Sequence, residues 1–308
     1  MTYRRVLITG ANGLLGQQLV ERFSRLPRYD VLATGRDEAP KFAAASCGYA
    51  NLDITSPEQV RQVFTDFAPS VVVNAAAMTN VDRCETDRDA CWEVNVHGVE
   101  HLARMCKTTG ARLVQVSTDF VFDGEAGPYT ETDRPNPINH YGRSKLAAEN
   151  AVRQLGLSSW TLVRAIIVYG TGRSLNQSNL ALWILRRLRN GQTVPAFADQ
   201  WRTFCYAPDL ADGIERLVRF DKGGVYHLSG REFVTIVEFA QTLARVFGYD
   251  ESLIVPSSMA DVPLAAPRPP RTGLIVLKAE TEIGFKPRSL EDACRHLARS
   301  LDGELVDG

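Results

Sequence analysis

A glycine-rich loop between an apolar strand and an amphipathic helix constrains the fold more than any other feature of this sequence. The run Arg4–Thr9 is short and apolar, as in a buried parallel strand, and G-x-x-G-x-x-G follows at Gly10, Gly13 and Gly16. Glycines permit a tight turn and let the backbone approach a pyrophosphate, which the N-terminus of the next helix attracts. This arrangement predicts a dinucleotide-binding fold.

Strand-like and helix-like segments alternate through the first half of the chain. Further apolar runs at Tyr29–Gly35, Pro69–Asn74 and Trp160–Tyr169 are predicted strands, and a long helical segment is predicted from Val81 to Thr109. Such alternation predicts an α/β fold with a Rossmann-type doubly wound parallel sheet. Segments become shorter and more mixed from about Gly170. We therefore predict an NAD(P)-binding domain over residues 1–169 and a smaller, mixed substrate-binding portion over residues 170–308, partly interwoven with the first.

A tyrosine and a lysine four residues apart follow a strand that ends in two hydroxyl side chains. Tyr141 and Lys145 open a predicted helix, on which residues at this spacing share a face, and Ser117-Thr118 end the strand before it. A nearby ammonium favours the phenolate, so we expect Lys145 to lower the pKa of Tyr141 toward neutrality. Thr118 would offer a hydrogen bond to the same reacting oxygen. The alternative is a surface tyrosine followed by a solvated lysine.

Residues at the ends of the other strands predict how a cofactor would be held. Arg36 directly follows the second strand, where an acidic residue would bind the ribose of NAD and an arginine suits the 2′-phosphate of NADP. Asp53 and Ile54 are predicted to meet the adenine, and Ala75–Ala77 allow close approach of a cofactor at a strand end. NADPH is thus the predicted cofactor, with NADH as the second candidate. Alternatively, Arg36 is an ordinary exposed side chain and Asp53 only caps a turn.

Charge and cysteine pattern exclude several classes of protein. The 35 Lys and Arg nearly balance the 36 Asp and Glu, so the net charge of −1 argues against a nucleic-acid or membrane-surface binder. The N-terminus shows no signal-peptide pattern, and a cytoplasmic enzyme is expected. The six cysteines lack C-x-x-C spacing, and His97 and His101 have no acidic or thiol partner at matching spacing, so no metal site is predicted.

Two other polar features leave alternatives open. Asn95 lies inside a predicted helix, where asparagine is mildly unfavourable, and it either holds a water for proton relay or is simply tolerated. Arg202, Arg268 and Arg271 lie in predicted loops, where they would either clamp a diphosphate or remain solvated.

Several motifs together resemble the extended short-chain dehydrogenase/reductases, and within them the dTDP-4-dehydrorhamnose reductase family. The resemblance rests on LITGANGLLG at residues 7–16, VVVNAAAMTNVDRCE at 71–85, VSTDFVFDG at 116–124, PYTETDRPNPINHYGRSKLAAE at 128–149 and DQWRTFCYAPDLADGI at 199–214. It covers essentially the whole chain. It implies a Rossmann-type domain, a sugar-nucleotide substrate and reduction of a 4-keto sugar by NADPH or NADH. A homodimer is left open.

The same resemblance implies a role for each matching residue. Thr118, Tyr141 and Lys145 would be catalytic, with Tyr141 as the proton donor, Thr118 polarising the carbonyl and Lys145 binding the nicotinamide ribose. The predicted cofactor residues are Gly10, Asn12, Gly13, Leu14, Leu15, Gly16, Arg36, Asp53, Ile54, Ala75, Ala76, Ala77, Thr79, Tyr141 and Lys145. The predicted substrate residues are Val81, Ser117, Asp119, Phe120, Ile167 and Arg202.

Two departures from the family pattern keep other functions open. The family often has Tyr where this chain has Phe120, and often has Trp where it has Ile167. Related dehydratases carry Glu at the position of Phe120, so water elimination is disfavoured here. One alternative is a non-catalytic NADP-binding regulatory subunit resembling the beta subunit of methionine adenosyltransferase. The other is an epimerase or reductase of a different sugar substrate.

Overall fold

A seven-stranded sheet forms the centre of the molecule. The computed structural model describes residues 3–42, 47–175 and 179–301. The sheet has the order β11-β6-β5-β4-β1-β2-β3, and each neighbouring pair is parallel. The strands are β1 (Arg4–Thr9), β2 (Tyr29–Gly35), β3 (Gly48–Asn51), β4 (Val71–Asn74), β5 (Arg112–Thr118), β6 (Trp160–Ala165), β7 (Val168–Tyr169), β8 (Val194–Phe197), β9 (Trp201–Thr203), β10 (Cys205–Tyr206), β11 (Gly224–His227), β12 (Phe233–Thr235) and β13 (Ile254–Ser257).

Helices cover both faces of this sheet, because its central strands are apolar on both sides. They are α1 (Leu14–Ser24), α2 (Pro57–Phe67), α3 (Val81–Thr86), α4 (Arg88–Trp92), α5 (Gly98–Thr109), α6 (His140–Gln154), α7 (Leu180–Arg189), α8 (Ala207–Arg219), α9 (Ile236–Phe247), α10 (Leu277–Ile283) and α11 (Leu290–Leu301). One face packs on α1 and α8, and the other packs on α2, α5 and α6. The predicted Rossmann-type doubly wound sheet is confirmed.

Local sequence signals set several helix ends as predicted. Ser56 accepts a hydrogen bond from the Gln59 amide at 3.3 Å, and Pro57 is the first residue of α2. Serine before proline is a common helix start, since proline lacks the amide that would be left unpaired there. Helix α5 ends at Gly110, whose φ of 76° is left-handed and favours glycine.

Two predicted elements are interrupted in the structure. The helix predicted from Val81 to Thr109 is instead α3, α4, one turn of π-helix at Glu93–His97, and α5, because Asp87 leaves the helical conformation with φ −123° and ψ 67°. The strand predicted from Trp160 to Tyr169 stops at Ala165 and resumes as β7. Between them Ile167 has φ 26°, which breaks the extended backbone.

The second half of the chain has its own core but also completes the first. Three two-stranded sheets (β7 with β10, β8 with β13, β9 with β12) surround a core that includes Ile184, Phe239, Leu243 and Leu297. Strand β11 nevertheless adds to the edge of the central sheet, and α8 packs against α1. The division at residues 169 and 170 stays a prediction.

Within residues 3–42, 47–175 and 179–301, no helix is both long and apolar enough to cross a bilayer. The same residues contain no group of three or more His, Cys, Asp or Glu side chains placed to hold a metal ion.

Candidate active site

The glycine loop lies against the end of β4, so closely that side chains are excluded. Gly10 has φ 68°, and a Cβ on it would lie 2.6 Å from the backbone nitrogen of Ala76. A Cβ on Gly16 would lie 2.1 Å from the carbonyl oxygen of Gly10. The backbone therefore turns sharply from β1 into α1, whose N-terminus is aimed at the carboxyl edge of the sheet. This cradle fits a pyrophosphate, as the sequence predicts.

Buried polar side chains that sequence reasoning missed hold the strand ends beneath this loop. Thr9 donates to the side-chain oxygen of Asn74, and the Asn74 amide donates to Gln115 at 2.7 Å. The same Asn74 oxygen accepts from the Ala76 amide at 3.1 Å. Three neighbouring strands are thereby fixed relative to one another. Polar residues inside otherwise apolar strands are the signal that would have indicated this network.

At the end of β2 an acidic residue lies beside the predicted phosphate-binding arginine. Arg36 is exposed, whereas the Asp37 carboxylate accepts from the Asn12 amide at 2.7 Å and lies 3.4 Å from the Lys41 ammonium. The Asn12 hydrogen bond, followed by Lys41, holds the pKa of Asp37 below its usual value. The negative charge of Asp37, next to Arg36, is thus paired with the positive charge of Lys41. Asn12, predicted to line the cofactor, binds Asp37 through its amide.

The two residues predicted at the adenine have local structural roles. Asp53 accepts from the amide and the hydroxyl of Thr55 at 3.0 and 2.8 Å, which is the turn-capping alternative. Ile54 is buried, and a Cβ on Gly98 would lie 2.7 Å from it, so α5 packs tightly on this residue. Their contact with an adenine stays a prediction.

Asn95 accounts for the π-helical turn at Glu93–His97 in this segment. Its side chain accepts from the Met78 amide at 2.9 Å and donates to the Met78 carbonyl at 3.0 Å. It also donates to the Ser144 hydroxyl at 3.0 Å. Asn95 is fully buried, so it fixes the segment after β4 against the helix that carries Tyr141. These contacts show that Asn95 is more than a tolerated polar residue, and a water relay through it stays a prediction.

The three predicted catalytic residues come together at the carboxyl edge of the sheet. Thr118 ends β5, and Tyr141 and Lys145 lie in the first turns of α6, whose N-cap Asn139 accepts from the Gly142 amide at 2.8 Å. A Cβ on Gly142 would lie 2.1 Å from the Phe120 carbonyl oxygen, so glycine lets α6 approach the loop after β5. The Thr118 hydroxyl lies near enough to the Tyr141 phenol to lower the pKa of that phenol.

The expected lowering of the Tyr141 pKa is wrong for this structure. Burial raises the pKa of Tyr141 well above its usual value, the nearby Thr118 hydroxyl lowers it, and the Asp119 carboxylate raises it further. The Lys145 ammonium instead donates to the carbonyl oxygen of Val116 at 2.7 Å. Burial also lowers the pKa of Lys145 to about 8. The phenol is therefore protonated at neutral pH, which is the form that can donate a proton.

Three of the predicted substrate residues are buried and already hydrogen-bonded. Ser117 donates to Glu149 at 2.7 Å. Asp119 is 1% exposed. Arg202, also 1% exposed, donates to the carbonyls of Trp201, Pro269 and Pro270. The Arg202 guanidinium is thus engaged by backbone and does not face an open site.

The other three predicted substrate residues are half-buried near the loop ends. Val81 and Phe120 pack in one cluster with Tyr141, and the Phe120 and Tyr141 rings are 5.7 Å apart. Ile167 packs at the junction with the second half of the chain. Substrate contact by all six stays a prediction.

Arg202 lies in strand β9 and not in the predicted loop, because this short segment pairs with β12. The other two arginines predicted in loops are also engaged by other parts of the molecule. Arg268 donates to Asp82 at 2.7 Å, and the guanidinium of Arg271 lies 5.2 Å from the Trp201 ring. A further buried pair was missed: Arg164 donates to both oxygens of Glu149 at 2.9 and 2.8 Å. The two residues are 15 positions apart on different elements, α6 and β6, so no helix or strand spacing indicates the pair.

The parallel sheet, the glycine cradle and the Thr118–Tyr141–Lys145 set define an NAD(P)-binding enzyme fold of the extended short-chain dehydrogenase/reductase class. The chain belongs to the family described as RmlD substrate binding domain, whose model matches residues 4–302. A probable low-salt glycan biosynthesis reductase, Agl14 of Haloferax volcanii, is 36% identical over 92% of this chain and 94% of the relative.

Other relatives include dTDP-4-dehydrorhamnose reductases and a subunit of methionine adenosyltransferase. The dTDP-4-dehydrorhamnose reductase of Aggregatibacter actinomycetemcomitans is 30% identical over 95% of this chain and 98% of its own. The methionine adenosyltransferase 2 subunit beta of Mus musculus is 33% identical over 90% of this chain and 82% of its own. The structure of dTDP-4-dehydrorhamnose reductase from Bacillus anthracis in complex with NADP superposes with a TM-score of 0.86, at 30% identity, covering 97% of this chain and 99% of that one.

Proposed function

We propose that the chain is an NADPH-dependent reductase of a 4-keto-6-deoxy sugar nucleotide, with NADH as the second candidate donor. The observation that carries the proposal is the buried, protonated Tyr141 phenol, which lies near Thr118 at the carboxyl edge of a dinucleotide-binding sheet. Ligands bind at this edge in open α/β sheets. The reductase relatives support the substrate class.

The residues present fit the cofactor. The Gly10–Gly16 loop would hold its pyrophosphate, and the exposed Arg36 would hold the 2′-phosphate of NADPH. Lys145 would bind the nicotinamide ribose. When bound, NADPH supplies the hydride that reduces the keto carbon.

Tyr141 then supplies the proton that the developing alkoxide needs. Its raised pKa keeps the phenol protonated at neutral pH until the alkoxide, a far stronger base, forms beside it. Thr118, which lies near the phenol, would help to polarise the keto group. Phe120 follows Thr118-Asp119 and has no acid or base group. This position therefore offers no catalyst for the elimination of water.

The decisive test follows the nicotinamide absorbance of NADPH with dTDP-4-keto-6-deoxy-L-mannose as substrate. We expect turnover by the wild type and a loss of roughly 10²- to 10⁴-fold in Tyr141→Phe, the usual value of a general acid. Tyr3→Phe, at a tyrosine that is 61% exposed, is the matched control and should behave as the wild type. Full activity in Tyr141→Phe would refute the mechanism.

A non-catalytic regulatory subunit is the second candidate, favoured by the 33% identity to methionine adenosyltransferase 2 subunit beta. It predicts NADPH binding without turnover and a stable complex with a methionine adenosyltransferase catalytic subunit. Size-exclusion chromatography of the mixture, with the turnover assay on the same sample, separates the two functions. A homodimer and a cytoplasmic location remain predictions.

A further inference from the structure

One buried glutamine near the start of α1 binds two separate loops. Gln17 is 6% exposed. Its Nε2 donates to the carbonyl oxygen of Asn12 at 3.1 Å and to that of Arg173 at 2.9 Å. Its Oε1 accepts from the backbone amide of Arg173 at 2.8 Å. Both hydrogens and the oxygen of the Gln17 side-chain amide are therefore in use.

These bonds show that Gln17 does more than fill space in the core. Burying an amide is costly unless its polar atoms are hydrogen-bonded, so an apolar residue would serve better if only packing were required. The backbone of Arg173 both donates to Gln17 and accepts from it, as it would with a neighbouring strand. Gln17 thus binds the backbone of this loop and needs no particular side chain there.

The loop that Gln17 binds is fitted closely to α1. This clasp loop, residues 170–173, directly follows β7. A Cβ on Gly172 would lie 3.1 Å from Oε1 of Gln17, so glycine allows the close approach. Gln18 adds a hydrogen bond to the carbonyl of Thr171 at 3.1 Å. Two neighbouring side chains of α1 therefore hold the clasp loop against the helix.

The clasp loop lies at the edge of the sheet where a dinucleotide would bind. The chain leaves β6 at Ala165 and reaches Gln17 on α1, which follows β1. Strands β5 and β4 separate β6 from β1 in the sheet, so this stretch spans the carboxyl edge. The Asn12 carbonyl belongs to the glycine loop and shares the Gln17 nitrogen with the clasp loop. The two loops therefore lie side by side.

We infer that the clasp loop forms one wall of the cofactor site and that Gln17 is the positioning residue that holds this wall beside the pyrophosphate. The inference rests on the cofactor part of the proposed function. Gln17 would not touch the cofactor, because all of its amide bonds go to backbone groups. Without these bonds the wall would move away from the glycine loop, and bound NADPH would be released faster.

The first test measures how fast NADPH leaves the wild type and Gln17→Met. Methionine is as long as glutamine and favours a helix, but it cannot make the three hydrogen bonds. We expect the dissociation rate, followed by stopped-flow fluorescence during displacement by excess NADP+, to rise about tenfold, the value of one neutral hydrogen bond. Gln62→Met, at an exposed glutamine on α2, is the matched control. A wild-type dissociation rate in Gln17→Met would overturn the inference.

Limited proteolysis tests whether the bound cofactor and the clasp loop cover each other. Trypsin cleaves after arginine, and Arg173 is exposed at the end of the clasp loop. We expect NADPH to slow cleavage after Arg173 in the wild type, and we expect this cleavage to be faster in Gln17→Met. Cleavage that NADPH does not slow would contradict a wall beside the cofactor. A merely structural role for Gln17 would speed cleavage at arginines throughout the chain alike, and that result would also overturn the inference.

Gly172→Val tests the same contact from the side of the loop, and it keeps the inference testable if Gln17→Met does not fold. Its side chain would press against Oε1 of Gln17 and leave the sequence of α1 unchanged. We expect NADPH release to become faster, as in Gln17→Met. Release at the wild-type rate would show that the position of the clasp loop does not matter to the cofactor.

None of these measurements needs turnover, so they separate the inference from the proposed function. If the wild type binds NADPH but reduces no keto sugar nucleotide, the reductase proposal fails while the release and cleavage rates still decide the role of Gln17. If the wild type binds NADH in place of NADPH, the same rates are measured with NADH. Release and cleavage rates that are equal in wild type and Gln17→Met would overturn the role of Gln17, whatever the turnover.

Discussion

Burial controls the protonation of the residues that would carry out the chemistry. Tyr141 and Lys145 are 8% and 3% exposed, and burial disfavours the charged form of each, which raises the phenol pKa and lowers the ammonium pKa. The phenol therefore keeps its proton at pH 7. With a pKa of about 8, Lys145 is still mostly protonated there. A protonated Tyr141 can donate a proton, and a charged Lys145 can bind a ribose. Both properties suit reduction of a keto group.

Arg36 decides the preference for NADPH in the proposed function. It is exposed, and the neighbouring Asp37 is ionised, with Lys41 as the opposite charge 3.4 Å away. We predict that Arg36→Ala weakens NADPH binding about tenfold, through loss of a charged hydrogen bond to the 2′-phosphate, and leaves NADH binding unchanged. Titrations of nicotinamide fluorescence measure both affinities. Arg104→Ala, an exposed arginine on α5, is the control, and an equal loss for both cofactors would contradict the prediction.

His227 makes the fold sensitive to acid. Burial and the nearby Arg164 lower its pKa to about 3, from about 6.5 in the unfolded chain. Below pH 6.5 His227 takes up a proton in the unfolded state but not in the folded state. The free energy of unfolding therefore falls as the pH falls. Between pH 6.5 and pH 5 the loss should be about 2 kcal/mol at 1.4 kcal/mol per pH unit.

Urea unfolding at pH 7 and pH 5 measures this loss. We expect His227→Gln, which cannot take up a proton, to lose less unfolding free energy between the two pH values than the wild type does. His97→Gln, at an exposed histidine, should lose as much as the wild type. An equal pH dependence in His227→Gln would show that other groups cause the acid sensitivity.

Among the structural elements, the π-helical turn at Glu93–His97 links cofactor and catalytic segments. It places Asn95 against Met78 in the segment after β4 and against Ser144 on α6. The Ser144 hydroxyl in turn donates to the carbonyl of Tyr141 at 2.7 Å. A local distortion of one helix thus fixes the two neighbouring parts of the site to each other, as π-turns near functional sites often do.

We predict that Asn95→Leu destabilises the protein by about 2–5 kcal/mol, because both backbone groups of Met78 lose a buried partner. NADPH affinity should fall as well, since the segment that follows β4 would move. Urea unfolding and fluorescence titration measure the two effects. Asn150→Leu, at an exposed position of α6, is the control for the change of residue type. Wild-type stability in Asn95→Leu would show that these hydrogen bonds contribute little.

Elements that depend on local signals were predictable, and those that depend on distant contacts were not. Apolar runs and the Ser56-Pro57 start predicted the strands and helix ends. The strand-end rule placed Thr118 at the carboxyl edge, and the spacing of Tyr141 and Lys145 placed both on one helix. The π-helical turn depends on the hydrogen bond from the backbone amide of Met78 to Asn95. At the break in the strand, the carbonyl of Ile167 accepts a hydrogen bond from the backbone amide of Cys205. The burial of Arg202 likewise depends on carbonyls 67 and 68 residues away.

At the scale of the whole molecule, one hydrophobic core is built by both halves of the chain. Val20 and Phe23 on α1 pack in the same core as Ile214 and Leu217 on α8, and Phe285 near the end of the chain belongs to it as well. Strand β11 hydrogen-bonds to β6 at the edge of the central sheet. The proposed cofactor and substrate portions are thus joined through apolar packing as well as through the hydrogen bond from the Thr272 hydroxyl to Asp119.

This shared core leads us to predict that residues 1–169 do not fold by themselves. Without the second half, the α1 surface that meets α8 and the edge of β6 would be exposed, and exposed strand edges and apolar faces promote association. We expect the fragment to aggregate and to show no cooperative thermal transition by circular dichroism, while the full chain, prepared in parallel, shows one. A monodisperse fragment with a cooperative transition and NADPH binding would instead establish the division at residues 169 and 170 as a true domain boundary. The packing of α8 and β11 would then be a contact between two independently folding domains.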